Sequence, residues 1–150
     1  MSIFNSMNIS SSALTAQRLR MDVISSNMAN VDTTRGKLVD GKWEPYSRKM
    51  VVFEPSEGNF SSQLNRAMGK QGDIGGGVKV SKIIEDKTPF KLVYNPEHPD
   101  ADANGYVKLP NVDPLKEMVD LMSATRSYEA NITVLNATKS MLLKTFEISK

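Results

Sequence analysis

The chain has 150 residues, 39% of them apolar, with 19 basic and 17 acidic side chains for a net charge of +2 and no cysteine. That charge balance gives no electrostatic case for nucleic acid or an anionic membrane surface. Without cysteine there are no disulfides, no thiolate metal sites and no thiol catalysis, and no run of 18 apolar residues is present to span a bilayer.

The opening stretch lacks a basic leader followed by an apolar core, so no cleavable secretory signal is expected. Residues 1–34 instead carry a four-three repeat: Ile3, Met7, Ser10, Leu14, Gln17, Met21, Ile24, Met28 and Val31. This spacing predicts an amphipathic helix with an apolar seam. Met and Gln in the seam make it soft, since Met adapts to irregular neighbours. The stop signal is the polar, β-branched cluster Asn30-Val31-Asp32-Thr33-Thr34 ahead of Gly36.

All nine glycines and all seven prolines lie between Gly36 and Pro114. Residues 35–112 therefore read as a different kind of structure, a small β-rich insert. Strands are expected at Tyr46–Phe53, Gly77–Glu85, Phe90–Tyr94 and Tyr106–Leu109, from alternation such as Phe90/Leu92/Tyr94 against Lys91/Val93. Asn104-Gly105 marks a turn before the last strand. Residues 55–77 read as a long mobile loop with one helical turn near Gln63–Met68. Trp43, the single Trp, is expected in the core of the insert.

The last segment, 113–150, opens with Asp113 as N-cap and Pro114 in the first turn. No Gly or further Pro follows, so the helix is expected to run to the chain end, roughly 50 Å at ~1.5 Å per residue. Its seven-residue stripe is Met118, Leu121, Thr125, Tyr128, Ile132, Leu135, Lys139, Leu142 and Phe146. A second apolar line (Leu115, Met122, Ala130, Val134, Ala137, Met141) lies beside it. So broad an apolar surface needs a partner. The fold class is accordingly α+β: long terminal helices pairing as a coiled-coil-like unit around a β insert. The two seams can pair with each other or with other copies of the chain. The candidate assembly residues are Met7, Leu14, Met21, Ile24, Met28, Val31, Met118, Leu121, Tyr128, Ile132, Leu135, Leu142 and Phe146.

No constellation for catalysis or cofactor binding emerges. Asp100-Ala101-Asp102-Ala103-Asn104-Gly105 opens like an EF-hand loop, but the twelfth position is Asn111 rather than Glu and no helix enters it. His98 is the sole histidine, too few for a zinc site, and Gly69-Lys70 lacks the remainder of a phosphate loop. No metal, no cofactor and no enzyme activity is expected.

Residues 11–20 (SSALTAQRLR) followed by 26–33 (SNMANVDT) resemble the N-terminal signature of flagellar rod and hook proteins. Residues 102–112 (DANGYVKLPNV), with 117–119, 122–131 and 134–136, resemble the proximal-rod members of that family. The signature residues carried over are Asn27, Ala29, Asn30, Asp102, Asn104, Gly105, Tyr106, Pro110 and Asn111. Where the wider family often follows its Asn-Thr with Pro-Gly and an aromatic residue, this chain has Thr34-Arg35-Gly36. The resemblance implies a structural subunit, exported by the flagellar secretion machinery, whose terminal helices fold on incorporation and assemble into the torque-carrying rod of the basal body. Implied partners are other copies of the chain, other proximal and distal rod proteins, the rod-base adaptor at the MS ring and the export apparatus. A self-associating coiled-coil adaptor and a calcium-responsive module are the competing classes.

Overall fold

The computed structural model describes residues 3–56, 64, 67–69 and 76–148. Helix α1 (Ile3–Ala29) leads into three antiparallel two-stranded ribbons, and helix α2 (Pro114–Ile148) closes the described chain. The ribbons pair β1 (Lys37–Val39) with β2 (Lys42–Glu44), β3 (Lys49–Pro55) with β4 (Val78–Glu85), and β5 (Lys91–Tyr94) with β6 (Tyr106–Leu109). This is the α+β plan of the sequence, with the glycine- and proline-rich middle forming the ribbons.

The helix ends have local causes. α1 stops at Ala29, short of the end of its predicted segment, because Asn30 turns its side chain back on the helix. The Asn30 Nδ2 group donates to the Ser26 carbonyl at 2.8 Å, and the Asn30 carbonyl accepts from the Thr33 amide at 3.2 Å. α2 begins as the Asp-Pro pair dictates: the Leu115 amide, which a helix start would otherwise orphan, donates to Asp113 Oδ1 at 3.1 Å, and the Glu117 amide makes the first helical bond to the Asp113 carbonyl at 3.0 Å.

The β1–β2 hairpin has no counterpart among the expected strands. Its turn is Asp40-Gly41, both at positive φ (49° and 76°), the conformation a two-residue type I′ turn requires. It pairs Leu38 with Trp43, and Trp43 is 57% exposed. The core placement expected for this Trp is therefore wrong. Its three-residue strands form a ribbon too small to bury an indole. β3 starts at Lys49 rather than Tyr46, because Tyr46 is drawn toward α1, as described below. β3 and β4 pair with a register shift between Val52 and Phe53. The Met68 amide donates to the Leu64 carbonyl at 2.9 Å, a helical contact within the expected helical turn; the rest of the 55–77 loop reading falls mainly outside the described residues.

A lone two-stranded ribbon is marginal in water, and among the three it is the β3–β4 ribbon that gains a helix to lie on. α1 packs along α2 and also carries β3 and β4. The buried apolar residues are correspondingly few: Ala16, Val23 and Ile24 from α1, Ala124 from α2, and Val107 and Val112 around the β6–α2 connection. At Gly77 the start of β4 crosses α1 so closely that a Cβ would overlap the Ser12 hydroxyl. That hydroxyl accepts from the Val78 amide at 3.1 Å and donates to the Ile9 carbonyl at 2.7 Å.

Candidate assembly interface and the polar junction behind it

α1 and α2 run antiparallel. Asn27 meets Glu117, Arg20 meets Asp120 and Met21 meets Thr125, so rising numbers on one helix oppose falling numbers on the other. Each helix thus finds a partner within the chain. On this pairing the last turns of α2 extend past the start of α1, which accounts for the exposure of Leu143, Phe146 and Ile148.

The candidate assembly residues divide by environment. Ile24 is buried, and Met7, Leu14, Met21, Met28 and Val31 on the α1 side are half-buried. Leu121, Tyr128, Leu135 and Leu142 are likewise half-buried, whereas Met118, Ile132 and Phe146 are exposed. The second apolar line is the open one: Leu115, Met122, Ala130, Val134, Ala137 and Met141 are all exposed. With Met118 and Val119 it makes a long apolar face on α2 that no described part of the chain covers. Exposed apolar patches of this kind mark interaction sites, here broken midway by the exposed Arg126 and Glu129.

Behind this face lies a buried polar junction. Glu117, fully buried, accepts from Arg48 Nε at 2.6 Å and from Asn27 Nδ2 at 3.0 Å. The Asn27 side chain also donates to the Lys49 carbonyl (2.8 Å), and its Oδ1 accepts from the Lys49 amide (2.9 Å) and the Tyr46 hydroxyl (3.0 Å). Arg48 continues to Asp120 at 3.3 Å and Asp86 at 3.7 Å, and Asp120 receives Arg20 at 3.2 Å. The Arg48 amide donates to Asn111 Oδ1 at 2.7 Å, while Asn111 Nδ2 reaches the carbonyls of Asp86 and Thr88. α1, the insert and α2 are thereby tied at one point, beside an open groove of about 370 Å³ walled by Val23, Ile24 and Phe53.

The junction gives several signature residues structural roles. Asn27 and Asn111 are its two amide clamps and Asn30 terminates α1. Pro110 is buried beside Val112. Tyr106 packs edge-on against Tyr94 with ring centres 5.4 Å apart, and the Gly105 amide closes the turn on the Asp102 carbonyl at 2.8 Å. Ala29 and Asn104 are exposed. Arg48 is absent from the residues that the sequence nominates, Tyr46 enters only as the start of an expected strand, and Glu117 only within the family-like stretch 117–119; a charged residue in the first turn of a helix reads as solvated. The available clue is Asn27, a polar residue inside an otherwise periodic helix.

In the loop with EF-hand-like spacing, Asp100 is engaged by the protein itself. Asp100 accepts from Arg35 Nε at 2.7 Å and from the Thr34 hydroxyl at 2.8 Å, and its amide donates to His98 Nδ1 at 3.1 Å. The Arg35 guanidinium and then the Thr34 hydroxyl hold the Asp100 carboxyl below the usual carboxylate range. Among the described residues no cluster of three or more metal-ligating side chains forms, and no helix is long and apolar enough to cross a membrane.

The chain is thus two long helices flanking a small β insert, with apolar side chains exposed along α2. Residues 7–36 match the family described as "Flagella basal body rod protein" and residues 103–148 the family "Flagellar basal body rod FlgEFG protein C-terminal". The chain is thus of the flagellar rod class. Over 150 residues, all of both chains, it is 63% identical to the flagellar basal-body rod protein FlgC of Bacillus subtilis and 49% identical to that of Salmonella typhimurium. It is 47% identical to FlgC of Borreliella burgdorferi, covering 94% of this chain and 93% of that one. The chain belongs to the FlgC family: it is a structural subunit of the flagellar basal-body rod.

Proposed function

We propose that the uncovered face of α2, together with the half-buried seam residues at its margins, is the surface through which the subunit assembles into the proximal rod, the shaft that carries motor torque to the hook. The observation that carries this reading is the exposure of Leu115 (75%), Met122 (54%), Val134 (51%) and Met141 (60%) along one line of a 35-residue helix. Burying each such side chain against a neighbour contributes roughly 1.5–3 kcal/mol, repeated for every subunit of a helical assembly. On this reading residues 1–34 and 113–150 form the axial part and residues 35–112 stand outside it. The neighbours are other copies, other rod proteins and the rod-base adaptor at the MS ring. Delivery through the flagellar export apparatus follows from the family resemblance.

The half-buried stripe is a poor place to test this, since Leu135→Asp would disturb α1–α2 packing as well as any neighbour. Met122→Asp and Val134→Asp act on the open line. Each places an unpaired carboxylate where assembly demands desolvation, a large penalty, while leaving the subunit's own packing intact. The expected result is a folded, stable subunit missing from purified basal bodies, in cells that do not swim. Normal motility with both variants incorporated would refute this interface.

A further inference from the structure

We propose that the Arg48–Glu117–Asn27 junction sets the axial register of α1 against α2, and so fixes where the exposed face of α2 stands relative to the insert. The apolar seams cannot do this alone. Both repeat every seven residues, so sliding one helix by a heptad, about 10 Å, brings Met7, Leu14 and Met21 back opposite positions of the same stripe. The α1 seam is also forgiving. Met7, Met21 and Met28 accommodate varied neighbours, and Gln17 already buries an Oε1 with no donor among the described residues.

The junction does not repeat. Glu117 lies on α2, Asn27 on α1 and Arg48 at the entry to β3, so its hydrogen bonds at 2.6 and 3.0 Å require three separate segments to coincide. A one-heptad slip carries the fully buried Glu117 carboxylate away from both donors and strands an unpaired charge in the interior. A buried polar group that specifies register is the best-attested use of such pairs. Arg48, Glu117 and Asn27 are therefore positioning residues for α2 against α1 and the insert. This inference concerns the free subunit and stands independently of which surface packs in the rod.

The absence of native cysteine allows a direct test by paired cysteines in the full chain under mild oxidation. Met21→Cys with Thr125→Cys reports the observed register, since those side chains are 3.7 Å apart. Met21→Cys with Met118→Cys or Ile132→Cys reports slips of seven residues in either direction. The parent sequence is expected to cross-link only through the Met21/Thr125 pair. In the Arg48→Met/Glu117→Leu background, which removes both charges together, helicity and thermal midpoint should be retained. A slipped pair should then cross-link at a yield comparable to the original one. Cross-linking confined to the Met21/Thr125 pair in that background would show that the seams set the register. Loss of helicity in that background would show that the junction serves stability rather than register. Either result overturns the proposal.

Discussion

Replacing Glu117 alone by Ala should be among the most damaging single changes in the axial part of the subunit. The substitution removes a fully buried carboxylate that accepts from Arg48 Nε at 2.6 Å and Asn27 Nδ2 at 3.0 Å. Arg48, whose side chain is only 11% exposed, keeps Asp120 at 3.3 Å and Asp86 at 3.7 Å. Breaking one side of a buried pair costs about 3–5 kcal/mol. The two remaining carboxylates place the loss near the lower end, at about 3 kcal/mol by that range. That is a large share of the ~5–15 kcal/mol that stabilises a typical domain. Urea unfolding followed by helical circular dichroism measures it as a shift in midpoint at constant slope. Glu147→Ala removes a carboxylate from an exposed pair with Lys144 and should give no measurable shift, as surface pairs usually do. If the two variants unfold at the same urea concentration, the junction does not hold the helices together and the reasoning fails.

Three further outcomes follow from the same structure. Gly77→Ala should destabilise the subunit by about 1–3 kcal/mol, the usual cost of overpacking, because its Cβ meets the Ser12 hydroxyl that binds Val78; an unchanged thermal midpoint would contradict that close approach. Since Arg35 and Thr34 hold Asp100 below the ordinary carboxylate range, its contribution is present above about pH 4 and fades as pH falls through the depressed value. In Arg35→Ala the Asp100 titration observed by NMR should move up toward the ordinary value, and an unmoved midpoint would exclude Arg35 as the cause. Hydrogen exchange on the free subunit should be faster for amides at Leu143–Ile148, beyond the start of α1, than at Val119–Tyr128; equal protection would mean that the end of α2 has another partner.

The sequence announced the large architecture because its signals were local. A chain with every glycine and proline between Gly36 and Pro114 can place long helices only at its ends, and Asp113-Pro114 marks where the second begins. Tyr106–Leu109 was legible from alternation beside an Asn-Gly turn. The β1–β2 hairpin escaped because three-residue strands leave almost no periodicity, although Asp40-Gly41 carried the turn chemistry. Trp43 was misplaced because composition alone favours burying an indole, whereas the ribbon that holds it has no second layer. The junction was the least legible feature. Glu117 lies 90 residues from Asn27 and 69 from Arg48 along the chain; Asn27 stands out as a signature residue, but Arg48 and Glu117 each read singly as an ordinary solvated charge. Likewise the seven-residue period located two apolar lines on α2 but could not say that α1 borders one and leaves the other open.

The central claim is that the open line on α2 becomes covered when the subunit enters the rod, and site-specific thiol labelling tests it most directly. With no native cysteine to interfere, Val134→Cys places one thiol on that line. Its maleimide labelling rate can be compared between the purified subunit and purified basal bodies from motile cells. The account predicts rapid labelling of the free subunit and strong protection in basal bodies, with a thiol at exposed Trp43 on the insert as a reference that the assembled preparation remains accessible to reagent. Equally rapid labelling of Val134→Cys in both states would show that the open face stays bare in the rod, and the assembly surface assigned here would be wrong.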